Sequence, residues 1–196
     1  MPKRLRIGPL LLEREGLAGV RIFDLASEVA LCIDVLSPEG CKYKLYTHSH
    51  PNHFPERAPL DAFSPAGPFL VRPGETLNLP PFEILTVHAY NREDLGRPPR
   101  HKKGESVGYL VSHGRHKVYH VGDSDLVSEI VSLREFKIDV ALVPIGGSSV
   151  MNVEEAFEFV KSLRPSIAVP IHYSSLRDAE KFKLLSHVYT QIVILS

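Results

Sequence analysis

No apolar run in the chain approaches the roughly 18 consecutive residues that a membrane-spanning helix requires. The basic start Met1-Pro2-Lys3-Arg4 leads only to a short apolar patch broken by Gly8 and Pro9, so the sequence reads as a soluble, unprocessed protein with no membrane partner. Charge of one sign is also missing. The 23 Lys and Arg balance 23 Asp and Glu, which leaves no polycation to announce nucleic acid or an anionic lipid surface. Cysteine is scarce too. Cys32, in an apolar run, and Cys41, just after the turn Ser37-Pro38-Glu39-Gly40, make no disulfide framework, and the expectation is a reducing, cytoplasmic compartment. What remains is a 196-residue chain with 43% hydrophobic residues, enough for one substantial core and a single domain over residues 1–196.

Histidine, by contrast, is plentiful, and three of the ten fall within Thr47-His48-Ser49-His50-Pro51-Asn52-His53-Phe54. Imidazole is the commonest neutral metal ligand. His48 and His50, two apart at the end of an extended run, point to the same side and can converge on one ion. His53, beyond a proline bend, points elsewhere. The spacing suggests two ions, or one ion and a catalytic group, rather than a closed structural cage, because a catalytic ion keeps a position open for water.

The opening third reads as β-rich, with strands over residues 19–23, 28–35 and 43–46 that feed the histidine loop. Asp34 is either a buried turn residue or the partner that orients a ligand histidine through its second nitrogen. From residue 51 to 81 eight prolines exclude a long helix and leave loops joining short edge strands. Strands follow at 69–72 and 82–88, and then comes a polar, basic stretch over 91–104, long enough to be a substrate-facing flap. A hairpin over 106–121 runs into Tyr119-His120-Val121-Gly122-Asp123-Ser124-Asp125. Leu126, Ile130 and Leu133 then have helical spacing after Asp123 and Ser124, two natural caps. A strand over 139–143 ends in Pro144-Ile145-Gly146-Gly147. Asn152 with Glu155 starts a capped helix lined by Val153, Phe157, Val160 and Leu163. A strand over 167–171 delivers His172, and a helix over 176–187 and a strand over 191–195 finish the chain. Strands alternate with helices only in this second half, which implies sheets covered by helices, with loaded residues at strand ends: His48 and His50, His88, Asp123, His172.

These motifs resemble the metallo-β-lactamase superfamily, and within it small metal-dependent hydrolases related to L-ascorbate-6-phosphate lactonase. The resemblance rests on Thr47-His48-Ser49-His50-Pro51-Asn52-His53 for H-x-H-x-D-H, on Tyr119 to Asp125 for Y-H-x-G-D-T-D, on Pro144-Ile145-Gly146-Gly147 with Met151, and on Pro170-Ile171-His172-Tyr173. It implies an α/β fold, a four-layer αβ/βα sandwich. It implies His48 and His50 at a first ion, His53 and His172 at a second, and Asp123 as the bridge. Two positions depart from the family. Asn52 replaces an aspartate ligand, which raises the formal site charge from about +1 to about +2, weakens the second ion and favours anionic substrates. Asn91, in Ala89-Tyr90-Asn91, replaces the third histidine of the first site. His101, in His101-Lys102-Lys103-Gly104, is preferred to His88 in that role, because relatives with A-Y-N carry H-x-K-G downstream.

The resemblance implies hydrolysis by a metal-bound hydroxide on an anionic ester, lactone or phosphodiester, with one or two divalent ions: zinc first, manganese or iron otherwise. Asp123 fixes the ions, and Asn52 orients the water without accepting its proton. His120 either supports a ligand or packs. Lys102, Lys103, Arg97 and Arg100 are candidate phosphate receivers. The rival readings are a non-catalytic metal-binding protein and an RNA- or DNA-processing phosphodiesterase. The latter is not favoured, because the net charge gives it no support.

Overall fold

The computed structural model describes residues 1–96 and 98–196. Two seven-stranded sheets face each other. The first is built in chain order from β1 (Arg4–Ile7), β2 (Leu10–Glu15), β3 (Gly19–Asp24), β4 (Val29–Ile33), β5 (Tyr43–Leu45), β6 (Ala62–Ser64) and β7 (Phe69–Leu70). Its first four strands pair antiparallel and the rest parallel. The second sheet contains β8 (Thr76–Leu79), β9 (Phe82–Ala89), β10 (Ser106–His113), β11 (His116–His120), β12 (Val140–Pro144), β13 (Ile167–Ile171) and β14 (Gln191–Ile192). It is antiparallel through β11 and parallel beyond. The change of pairing falls where helices enter the chain, since a parallel neighbour requires a crossover. α1 (Ser128–Val131) with a following 3₁₀ turn, α2 (Val153–Leu163) and α3 (Leu176–Ser186) supply those crossovers.

The period-two alternation of the strands sorts the core into layers. Leu10, Leu12, Val20, Ile22, Leu31, Ile33 and Leu45 of the first sheet meet Ile84, Tyr109, Val111, Val118, Val140, Leu142 and Val169 of the second. The alternate residues Leu110, Tyr119, Ala141, Val143 and Ala168 turn outward against Ala156, Phe159, Val160 and Leu163 of α2. Phe159 is fully buried there, and truncating it to Ala is expected to destabilise by about 3–5 kcal/mol. The expected capping box is formed: Asn152 Oδ1 accepts from Glu155 N and Glu155 Oε2 accepts from Asn152 N, both at 2.8 Å. The α/β sandwich inferred from the motifs is therefore present, with its helices gathered on the second sheet. Among the described residues, no helix is long and apolar enough to cross a membrane.

Several features differ from the reading of the sequence; in α2 the core-facing aromatic is Phe159, while Phe157, expected on that face, is only half-buried. β1 and β2 precede the first expected strand. α1 begins only at Ser128, capped by Val127 with no side-chain hydrogen bond, because the presumptive caps are engaged elsewhere: Ser124 Oγ donates to Asp125 O at 2.8 Å, and Asp123 faces the histidines. Cys32 and Cys41 are joined in a disulfide, with 5.9 Å between their Cα atoms. The turn after β4 folds Cys41 back over the outer face of the first sheet, where Ala30, Cys32, Val35 and Cys41 form a small cluster of their own. The inference of a reducing compartment, which needed free thiols, loses its ground.

Candidate metal centre

The loaded residues other than His88, which lies within β9, sit at one end of the sandwich, past the C-terminal ends of strands, where the open ends of α/β sheets place their sites. The loop after β5 carries His48, His50 and His53. The turn after β11 carries Asp123, and the residue after β13 is His172. Gly122 makes the Asp123 turn with φ +72°, and a Cβ there would lie 2.7 Å from Val107 O, so no other residue fits. Asp34 and His172 hold φ of 53° and 52°. Such left-handed backbone is unfavourable for residues with a Cβ and persists where surrounding contacts dictate it. For His172 the contact is its N–H donating to Leu17 O at 2.8 Å.

Asp34 settles the tautomers of the buried histidines. Its carboxylate accepts from Thr47 N and from Thr47 Oγ1, both at 2.7 Å, and it meets His53 Nδ1 at 2.7 Å. Because the Thr47 hydroxyl proton goes to Asp34, Thr47 Oγ1 can only accept from His48 Nδ1, 2.9 Å away. His48 Nε2 is then a bare lone pair, buried and with no hydrogen-bond partner. His53, with Nδ1–H on Asp34, likewise presents a bare Nε2. Both nitrogens face Asp123, at 3.9 Å for His48 and 3.5 Å for His53.

His101 arrives from the long loop between β9 and β10 and obeys the same rule. Its Nδ1 lies 3.2 Å from Asn91 Oδ1, and its Nε2 is 3.1 Å from His50 Nδ1 and 3.7 Å from Asp123 Oδ2. His172 Nε2 comes within 3.1 Å of Asp123 Oδ2, with its ring stacked on His53. The structure thus brings His48, His50, His53, His101, Asp123 and His172 around one point. Two triads converge closely enough to hold an ion, His48-His50-His101 and His48-His53-Asp123. Within each triad the ligand atoms lie within 4.8 Å of one another, near enough for one ion to reach them all. The donor set and the orphaned His48 nitrogen fit a divalent cation.

The electrostatics of His48, His101 and Asp123 agree with that fit. Burial pushes the His48 ring down to about 3 and also lowers His101, so both are neutral and able to donate a lone pair at neutral pH. Burial works against the charge of Asp123, yet the hydrogen bond with His172 and the nearby His53 ring hold its carboxyl well below the usual carboxylate range. Burial also opposes charge on both Asp34 and His53, but their mutual contact prevails, lowering the acid and raising the ring.

A cavity of about 460 Å³ opens onto this cluster, lined by His50, Asn52, His53, Arg100, Asp123, Ser149 and His172 among others. Asn52 is exposed at its mouth. Of the four basic residues proposed to receive an anion, only Arg100 lines the cavity among the described residues. Lys103 is turned away onto Glu129 Oε1 at 2.5 Å and over the Tyr90 ring, and Arg97 lies outside the described residues. His88 joins neither triad, and its ring meets Tyr90 edge-on. His120 is a tie between sheets: Nε2 donates to Ala18 O at 2.8 Å, and Nδ1 accepts from Gly122 N. Thr47 and Ser149 were not anticipated. Thr47 directly precedes the H-x-H motif, and that adjacency was the available signal.

The fold and the site together define a class. The chain matches the beta-lactamase superfamily domain over residues 39–172, and it belongs to the metallo-β-lactamase superfamily. Within it the chain falls among the UPF0173 metal-dependent hydrolases: one from Thermoplasma acidophilum is 31% identical over 170 residues, 77% of this chain and 75% of the relative. The chain spans about half the length of four further members that it matches. Among solved structures, the metallo hydrolase Igni18 of Ignicoccus hospitalis superposes with a TM-score of 0.74 at 23% identity, over 95% of both chains. YhfI of Bacillus subtilis, a metallo-beta-lactamase fold protein, superposes with a TM-score of 0.72 at 12% identity, over 93% of this chain and 90% of its own. At those identities the two structures speak for the fold alone.

Proposed function

We propose that the protein is a hydrolase of small anionic esters, lactones or phosphate esters. In this reading His48, His50 and His101 hold one cation, zinc in the first instance, and His53 and His172 hold a second with Asp123 between them. The observation that carries it is the convergence of three buried histidines, each with Nδ1 on an oxygen and Nε2 directed at Asp123. Relatives named metal-dependent hydrolases support the reaction class. A bound cation supplies a water of lowered pKa and a Lewis acid for the scissile carbonyl or phosphoryl group.

The chain's own residues do the rest. Asp123, kept charged by its surroundings, sets the negative charge around which the cations gather. Arg100 faces the cavity and offers its guanidinium to an anionic group. Ser149 lies on the wall beside it. Asn52, which stands at the aspartate position of the resembled H-x-H-x-D-H motif, can accept a hydrogen bond from water but cannot take its proton. A cavity of about 460 Å³ suits a small molecule rather than a polynucleotide.

The test begins with metal analysis of the purified protein, followed by an activity screen of the loaded protein over lactones, phosphodiesters and thioesters. Zinc, manganese or iron is expected in wild type and absent from a His48→Ala/His50→Ala variant. A wild-type protein that holds no metal after reconstitution, or that hydrolyses none of the three classes, would overturn the reading.

A further inference from the structure

The loop from β9 to β10 is pinched at its neck by a single residue. Asn91 N donates to His101 O at 2.9 Å. Its side-chain oxygen accepts from the N–H groups of Arg100 and His101, both at 3.1 Å, and from His101 Nδ1 at 3.2 Å. Its amide nitrogen donates to Ser149 O at 2.8 Å. With 4% of its surface exposed, Asn91 is buried and saturated. It therefore holds, at once, a histidine of the candidate cation site and the two polar cavity walls, Arg100 and Ser149. The Arg100 guanidinium, in turn, has no ion pair or hydrogen bond among the described residues, although Lys103 and Arg92 on the same loop are committed to Glu129 and Asp94. Of these three cations, it alone is left uncommitted and belongs to a residue that lines the cavity.

We infer that Asn91 is a positioning residue that couples the cation site to an anion subsite formed by Arg100, so that His101 on the cation and Arg100 on a phosphate-like group are set by one side chain. The inference rests on the metal-binding reading of the site. Because Arg100 and His101 are adjacent and share one acceptor, a cation that fixes His101 also fixes the backbone from which Arg100 reaches the cavity. Binding of the cation and of the anion must then help each other, and the coupling is reciprocal. In this chain Asn91 is a hydrogen-bonding hub that presents a ligand from a loop.

The experiment is a titration of the full chain with Co²⁺, followed by its visible absorption, with and without inorganic phosphate. In wild type each partner is expected to tighten the other. Asn91→Ala should weaken Co²⁺ binding by about 10- to 100-fold, the usual effect of removing a group that orients a ligand. It should also leave phosphate binding weak when Co²⁺ is saturating, because Arg100 has lost its anchor. Asn91→Asp keeps the accepting oxygen and should restore Co²⁺ affinity to within a few-fold. Arg100→Ala should leave Co²⁺ affinity within about twofold and lower phosphate affinity about tenfold, the scale of a charge-assisted hydrogen bond. Wild-type affinities for both in Asn91→Ala overturn the inference, as does unchanged phosphate binding in Arg100→Ala. Should Asn91→Ala fail to fold, Asn91→Asp and Arg100→Ala decide the matter: wild-type phosphate binding in the arginine variant, or no Co²⁺ uptake by the aspartate variant, defeats it. A wild-type chain that takes up no Co²⁺ marks the failure of the metal reading itself, a distinct outcome.

Discussion

The two halves of the candidate centre are built differently. His48 and His53 follow β5 and Asp123 follows β11, and the two histidines are locked to Thr47 and Asp34 by hydrogen bonds of 2.7–2.9 Å. His50 is exposed, and among the described residues its ring hydrogen-bonds only to His101, which itself rides on a loop pinned through Asn91. One half is preorganised by the sheets. The other depends on a loop keeping its shape, so the same kind of ligand is bought with a different degree of order, and loss of order should strike the loop half first.

Removing the group that both halves share gives the largest effect. Asp123→Asn keeps the size and discards the charge, leaving neutral histidines to hold divalent cations alone. Its kcat is expected to fall by about 10³-fold or more, beyond the 10- to 100-fold typical of residues that only orient a ligand. Steady-state kinetics with metal analysis on the same samples checks this, and retention of metal and of full activity would break the picture of a shared centre. Asp34→Asn acts on the preorganised half only. An amide has one oxygen where three donors converge, so His53 and Thr47 cannot both be held, and metal affinity should fall about 10- to 100-fold. Proteolysis of the 91–105 loop should stay as in wild type. Equal loosening of that loop would show that the halves are not separate.

A smaller effect is expected from Asn52→Asp, which adds a carboxylate at the mouth. If the missing aspartate is what leaves the second cation weakly held, calorimetric titration should show the second binding event strengthened about tenfold. No change there would remove Asn52 from the account of the centre.

How much of this could be read from the residues follows the same division. The preorganised half, together with His50 in the same H-x-H-x-x-H run, was legible because that run, G-D and the late histidine all follow strand ends, which are visible in an apolar pattern. His101 emerged only by way of resemblance, since no periodicity marks a ligand delivered by a loop. Asn91 was read as a lost ligand, because its hub role depends on Ser149, 58 residues away. Asp34 was left between two roles, and the structure gives it both, a strained turn and a histidine partner. The Cys32–Cys41 bond escaped notice because nothing in the spacing says that the turn folds back over the sheet. Lys103 was counted toward an anion it does not face, since charge along a loop carries no direction.

The smallest expected effect concerns how the loop is fastened at its far end. Glu129, on α1, meets Lys103 Nζ at 2.5 Å and Tyr90 Oη at 3.2 Å. Burial alone would raise its pKa, but Lys103 and its other donors bring it down from 4.5 to about 2. A carboxyl depressed in the folded state contributes stability above its unfolded pKa and loses it as the pH falls toward the folded value. The fastening is therefore intact at neutral pH and released between about pH 4.5 and about pH 2. Lys103 is about half exposed, so solvent screens the pair, and Glu129→Gln should lower the melting temperature by about 2 °C or less. The informative readout is local. Hydrogen exchange across residues 92–105 should quicken in wild type over that acid interval while the Gln variant shows no such step, and identical pH profiles for the two would mean that the loop is held by Asn91 and its neck alone.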